Sequence, residues 1–321
     1  MSGGDDVLAA VLEHTGLRGK VYCRTSARAP WGLAFGAQSG AVFHAIAVGA
    51  CWITHRAERV QLTAGDLMLF PRAAPHALSD APKSPKLALE EWLTRRGAAA
   101  LGGKTGALAE VLCGVYEFDP PGRSHPVLDL LPERVHLRPN PRRPDLAGTL
   151  ASLHGEYARG PLGSALVISR LLDILFVQIV RAWTETNPRD AGWIGALDEP
   201  MLARALAALH REPGRAWSVA ELAHLSGASR ATLARRFNER VGEPPLAYLT
   251  RVRLDEAARR LARGQGALVE IAQDVGYASE FAFNRAFRRH HGEPPGHYRE
   301  RMQAVRAASA EVPSSSMPRS R

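Results

Sequence analysis

Cysteine is scarce, with three in 321 residues. Three thiols cannot build a disulfide framework, so a small stapled secreted fold is excluded and a reducing cytoplasm is the expected compartment. Long apolar runs are also lacking. The most apolar stretch, LLDILFVQIV at 171–180, is interrupted by Asp173, followed by Arg181, and too short to span a bilayer; no membrane partner is expected. The opening MSGGDDVLAA is acidic where a secretory leader is basic, so no such segment is expected. Lysine is absent from residues 201–321, yet that end is the basic one: it holds 20 arginines against 12 acidic residues. Residues 1–200 hold 21 basic residues against 20 acidic ones. A general compositional bias would load both parts alike. The asymmetry therefore predicts a polyanionic partner for the C-terminal third.

At this length the chain has room for about two domains. Short β-rich runs such as VFHAIAV (42–48), CWITH (51–55), RVQLT (59–63) and DLMLF (66–70), punctuated by Gly49, Gly65 and Pro71, predict an antiparallel barrel or sandwich that closes with LAEVLCGVYEF (108–118). The Pro/Arg-rich LRPNPRRPDL (137–146) ends it. Two helices follow, the second over about 163–184 and apolar on more than one face. After the linker ETNPRDAG (185–192) the pattern is helical from Asp198 almost to Met302. Residues 1–6 and the Pro/Ser-rich end are expected to be disordered.

The helical part repeats itself. VAELAHLSGAS (219–229) matches LVEIAQDVGYAS (268–279) at an offset of 49, and after one inserted residue VGEPPLAY (241–248) matches HGEPPGHY (291–298) at an offset of 50. Each copy predicts helix–turn–helix. Gly227 and Gly276 end the first helix, and Ser229 and Ser279 cap the second, over about 230–241 and 280–291. Leu233 and Phe237, with Phe283 and Phe287, face inward at four-residue steps and leave the opposite face to Arg and Asn. A helix of about 18 residues between the copies, roughly 27 Å long, would set two such units near one DNA turn apart. The fold class expected is α+β and multidomain: an antiparallel β-barrel at 1–136, a helical coupling or dimerisation segment and linker at 137–196, an all-α domain with two helix-turn-helix units joined by a long helix at 197–302, and a disordered tail at 303–321.

Residues from about 200 to 302 resemble the paired helix-turn-helix domain of AraC/XylS-type transcription regulators, most specifically through IAQDVGYASEFAFNRAFRRHHGEPPGHYR (271–299). WGLAF, FHAIAVGACW, GDLMLFPRAAPH and VLCGVYEFD resemble the cupin-type sensor domain found on one branch of that family. The resemblance implies a sequence-specific regulator of transcription that binds double-stranded DNA as a homodimer, with RNA polymerase as a further partner if it activates. It implies base-reading positions at Arg230, Ala231, Ala234 and Arg235 in the first unit, and at Glu280, Phe281, Asn284 and Arg285 in the second. Chemistry favours Arg235 and Arg285 on guanine and Asn284 on adenine. Arg230, Arg236, Arg288 and Arg289 suit phosphates.

GDLMLFPRAAPH has the spacing of a cupin's second motif, ending on His76. The first motif supplies His44 but has Ile46 where a second histidine would stand, and no Glu follows. Two histidines without a carboxylate fall short of an iron triad, so no metal or other cofactor is expected, and a cupin-type metal-dependent enzyme is the alternative reading. Trp31, Phe35, His44, Trp52 and His76 are the candidate lining of a pocket for a small-molecule effector. Cys23 and Cys113, at the two ends of the β region, are candidates for a redox switch that responds to an oxidant.

Overall fold

The computed structural model describes residues 6–311 apart from 16, 39, 95–100, 118–124, 160–161 and 189. It divides into a sheet unit, built from 17–118 and 124–191, and a helical unit, built from 192 onward together with the N-terminal segment. That segment is α1 (Val7–Thr15), begun by Asp6, whose carboxylate accepts the Ala9 amide at 2.9 Å. Val7, Leu8 and Val11 are buried on α6 (Pro200–Arg211) of the helical unit.

In the sheet unit, β1 (Arg18–Arg28), β2 (Gly32–Phe35), β3 (Ala41–Val48), β4 (Ala50–His55), β5 (Glu58–Thr63), β6 (Leu67–Phe70) and β7 (His76–Ser79) are followed by β8 (Leu87–Ala88), the short helix α2 (Leu89–Thr94), β9 (Leu101–Gly102), β10 (Leu108–Glu117) and β11 (Val135–Leu137). They form two sheets, ordered β11-β6-β3-β10-β1-β9 and β5-β4-β7-β2-β8. The closed barrel is thus corrected to two sheets that do not close, with three of their four edges formed by two- or three-residue strands and the fourth by β5. Alternation directs one face of each sheet into a shared core, where Ile46 and Phe70 from one sheet meet Phe35, Ile53 and Leu62 from the other. The outer face of the six-stranded sheet carries Phe43 and Tyr116, and helices cover it: α3 (Pro144–Arg159) and α4 (Ser164–Thr186). Tyr116 packs edge-on against Phe176 and donates its hydroxyl to the Leu172 carbonyl at 3.1 Å. Gly19 makes this approach feasible, because a Cβ there would lie 2.5 Å from the Leu172 Cβ. The segment expected to form a separate coupling region therefore packs on the sheets.

In the helical unit α5 (Gly192–Ala196) and α6 precede the first repeat, α7 (Val219–Leu225) and α8 (Arg230–Val241). The connecting helix α9 (Pro245–Ala262) leads to the second repeat, α10 (Leu268–Asp274) and α11 (Glu280–His291), and then to α12 (Pro295–Glu311). The far half of α9 shares one core with the second repeat and α12 through Leu254, Leu261, Phe283, Phe287 and Tyr298. The repeats are also joined by backbone. Gly214, before α7, lies so near the end of α10 that a Cβ there would be 2.3 Å from the Asp274 carbonyl oxygen, and one on Gly276 would be 2.5 Å from that of Gly214. Arg253 of α9 closes the junction by donating to the Pro213 carbonyl at 2.7 Å and the Arg215 carbonyl at 2.8 Å. The disordered tail expected from 303 is corrected as far as Glu311, which ends α12. The segment QAVRAASAE has strong helix formers and no breaker, and the first proline is Pro313. Residues 1–5 and 312–321 lie outside the described residues.

Candidate nucleic-acid interface and sensor interior

Local chemistry fixes both second helices in the same way. Gly227 and Gly276 adopt φ of 67° and 86° just past the first helix, the left-handed turn that sends the chain around the corner. The Ser229 hydroxyl then accepts the Thr232 amide at 3.1 Å, and that of Ser279 accepts the Ala282 amide at 3.2 Å. Leu233, Phe237, Phe283 and Phe287 are fully buried. The repeated GEPP acts behind each helix. Gly242 and Gly292 end α8 and α11 in the left-handed conformation, and Pro245 and Pro295 begin the helices that follow. The glutamate of each copy reaches eight residues forward: Glu243 pairs with Arg251 at 2.8 Å and Glu293 with Arg301 at 2.5 Å. Each arginine also covers a buried tyrosine, Tyr248 or Tyr298, that packs on Phe237 or Phe287.

The outward faces differ between the repeats. On α8, Arg230 and Ala231 are exposed and Ala234 is half-buried. Arg235 pairs with Glu239 at 2.8 Å. Arg236 is held by Glu199 at 2.5 Å and by Glu239 at 3.1 Å, and Arg240 joins the same Glu199 at 3.1 Å. Arg236 is therefore partly committed to clamping α8 onto the start of α6. On α11, Arg285, Arg288 and Arg289 are exposed, and none makes an ion pair or side-chain hydrogen bond among the described residues. Asn284 is half-buried beside them, Glu280 is exposed, and Phe281 is 77% exposed. An apolar ring that open to water is a surface waiting for an apolar contact.

In the sheet unit, His44 and His76 meet at the centre of the core. Their Nε2 atoms are 2.6 Å apart, His44 Nδ1 is 3.1 Å from Cys113 Sγ, and His76 Nδ1 is 2.7 Å from the Ala74 carbonyl oxygen. The last contact requires a proton on His76 Nδ1. With both rings neutral, His76 Nε2 then accepts from His44 Nε2–H, and His44 Nδ1 accepts from the Cys113 thiol. Burial supports neutrality: it lowers His44 well below the ordinary histidine range and lowers His76 to about 4. Phe35 and Phe70 stack on the two faces of His76. Trp31 is buried in the same core, whereas Trp52 alternates outward between Cys51 and Ile53 and is only half-buried. Four of the five residues expected to line an effector pocket are thus packed in the core. Cys23 and Cys113 are cross-strand partners in the β1–β10 register. Burial pushes the Cys113 thiol well up and that of Cys51 to about 12. No carboxylate among the described residues joins the two histidines. Among the described residues, the group of three donor side chains close enough to share a cation is Asp255, His290 and His291, in the helical unit.

The cupin family matches residues 6–185, and the helix-turn-helix domain family matches residues 222–301. An AraC-like transcription regulator of Streptomyces lividans is 33% identical over 92% of this chain and 98% of its own length. The regulator AlkR of Acinetobacter baylyi is 29% identical over 92% of this chain and 99% of its own. The solved DNA-binding domain of the global transcriptional factor AdpA, in complex with a target DNA, is 31% identical, covers 34% of this chain and 97% of that one, and superposes with a TM-score of 0.32. The chain is an AraC-type transcription regulator.

This AraC-type regulator places both of its expected reading faces on exposed sides of capped helices. Three features of it escape a reading of the sequence by motif. The Glu243–Arg251 and Glu293–Arg301 pairs were discoverable, because both copies carry Glu eight residues before Arg. The Glu199 clamp has no counterpart in the second repeat, so repetition gave no sign of it. A cavity of about 720 Å³ in the sheet unit, outside the six-stranded sheet and under α3, owes its space to alanines that carry no motif.

Proposed function

We propose that the regulator reads double-stranded DNA with α8 and α11, and that α11 carries the larger share of direct base and phosphate contact. The observation that supports this most is the set of exposed arginines on α11 without ion pairs among the described residues, Arg285, Arg288 and Arg289, beside Asn284, where Arg235, Arg236 and Arg240 of α8 are already engaged by glutamates. Arg285 reads guanine, Asn284 reads adenine and Phe281 meets a thymine methyl. Arg230, Arg288 and Arg289 hold phosphates. The test is binding of the full chain to a selected operator at several salt concentrations. Arg288→Ala should reduce the salt slope by about one and weaken all sequences alike; an unchanged slope overturns its role as a phosphate contact.

The sheet unit acts as a sensor and not as a metal-dependent enzyme, because the His44–His76 pair has no carboxylate neighbour among the described residues and its nitrogens are occupied by one another, Cys113 and a carbonyl. The regulator acts as a homodimer through α4, whose Leu166, Val167 and Ile174 are exposed along one side. Ile174→Glu should shift its sedimentation from dimer to monomer. RNA polymerase is a partner if the regulator activates. The register of Cys23 opposite Cys113 favours a second mode of sensing, in which a peroxide takes two electrons and the two thiols lose two protons to form one S–S bond. Titration after peroxide treatment should then find one free thiol of three; three remaining thiols would exclude this mode.

A further inference from the structure

The cavity in the sheet unit lies against the outer face of the six-stranded sheet, with α3 as its opposite wall. Sequence explains why it stays open. The α3 residues that face it are Leu146, Ala147, Leu150, Ala151 and His154, one stripe at helical spacing in which Ala147 and Ala151 are small, and Arg143 joins them from just before the helix. Ala45 and Ala47 face it from β3, and Ala182 faces it from α4. Alanine at so many facing positions cannot fill the gap between helix and sheet. The loop 138–140 closes one side because Gly65 lets Pro139 approach: a Cβ on Gly65 would lie 2.6 Å from the Pro139 Cγ. A volume of about 720 Å³ lies within the roughly 300–1,000 Å³ typical of small-molecule sites.

Its charge is one-sided. The ionisable residues on the wall are His136, Arg138, Arg143 and His154, and none of the wall residues is acidic. Three of these bases have carboxylates set behind them. Arg143 pairs with Glu185 at 2.5 Å, His136 stands 3.4 Å from Asp66, and His154 stands 3.6 Å from Glu110, which also holds Arg24 at 3.0 Å. Arg138 is exposed at the wall and has no ion pair or side-chain hydrogen bond among the described residues. His136 turns its Nε2, shielded from solvent, toward the Asp66 carboxylate.

We propose that this cavity binds a small amphipathic carboxylate, with its apolar body among Leu112, Leu146, Leu150 and the alanines and its head on Arg138. One cation without a carboxylate partner suits a monoanion. A charge-assisted bond to Arg gives the head its selectivity. This site deepens the sensor reading, and it is separate from the Trp31–His76 core.

The test is calorimetry on the DNA-free full chain, so failure of DNA reading and failure of this site remain distinguishable. Octanoate should bind saturably at one site per chain, and 1-octanol should bind at least about tenfold more weakly. Arg138→Ala should weaken octanoate about tenfold and leave 1-octanol unchanged. Ala151→Trp, at an exposed helical position, should abolish binding of both with an unchanged unfolding midpoint. Octyl phosphate tests the head group and should bind no tighter than octanoate. The proposal is overturned if octanoate does not saturate, if 1-octanol matches it, if octyl phosphate exceeds it, or if folded Ala151→Trp protein still binds.

Discussion

Arg285 and Arg236 show how little residue type says without its neighbours. Both are arginines on the second helix of a repeat, yet Arg236 is engaged by Glu199 and Glu239 whereas Arg285 has no ion pair. Arg285→Ala should therefore cost about 1–3 kcal/mol of operator binding and relax preference at one base pair, measured on a panel of single-base operator variants. Equal losses across the panel would make it a phosphate contact. Arg236→Ala should instead lower the unfolding midpoint of the helical unit, since it releases Glu199 and loosens α8 from α6. His76 gives a second prediction. It titrates near 6.5 in the unfolded chain and near 4 in the fold, so between those values protons favour the unfolded state. Stability should fall as the pH drops from about 6.5 to 4 and change little from this source below that. The loss is on the order of 3 kcal/mol, and His44 acts in the same direction. Urea unfolding followed by tryptophan fluorescence across the window checks it, and His76→Gln should reduce the slope to the part that His44 contributes.

At the scale of elements, the caps make the helix-turn-helix units self-locating. Ser229→Ala and Ser279→Ala should each cost about 1 kcal/mol, because each leaves a first-turn amide without its acceptor. Chemical denaturation of the full chain reports the cost. A Ser279→Asp variant that keeps an acceptor should retain stability. These elements were legible because their signals are short-range: α8 and α11 occupy 230–241 and 280–291, where Ser, Gly and the four-residue apolar steps locate them. Several strands were legible within a residue or so for the same reason. β1 was not. Its buried set is Val21, Cys23, Thr25 and Ala27, which is weakly apolar, while Lys20, Arg24 and Arg28 alternate with it. α1 was missed because its partner, α6, lies nearly two hundred residues away in the chain. The two helix-turn-helix units could be read from the repeat, but the Glu199 clamp and the cavity under α3 depend on contacts between distant elements, which no local pattern encodes.

At the scale of the whole molecule, one chain carries two helix-turn-helix units, and they do not hang on a flexible tether. Gly214 and Gly276 bring backbone against backbone, Arg253 bonds across the seam, and α9 runs unbroken between the repeats. Gly214→Val should force the seam apart and cost roughly 1–3 kcal/mol in unfolding measurements. It should also weaken binding to an intact operator more than binding to a single half-site. The seam further constrains the DNA. A duplex turns once in about 10–10.5 base pairs, so one inserted pair rotates the second half-site by roughly a tenth of a turn. A jointed protein would swivel to follow; this one has to twist the helix or lose a contact. Its operators should therefore tolerate substitutions in the letters between half-sites far better than a single insertion there, and across promoters they should drift in sequence while holding their phase.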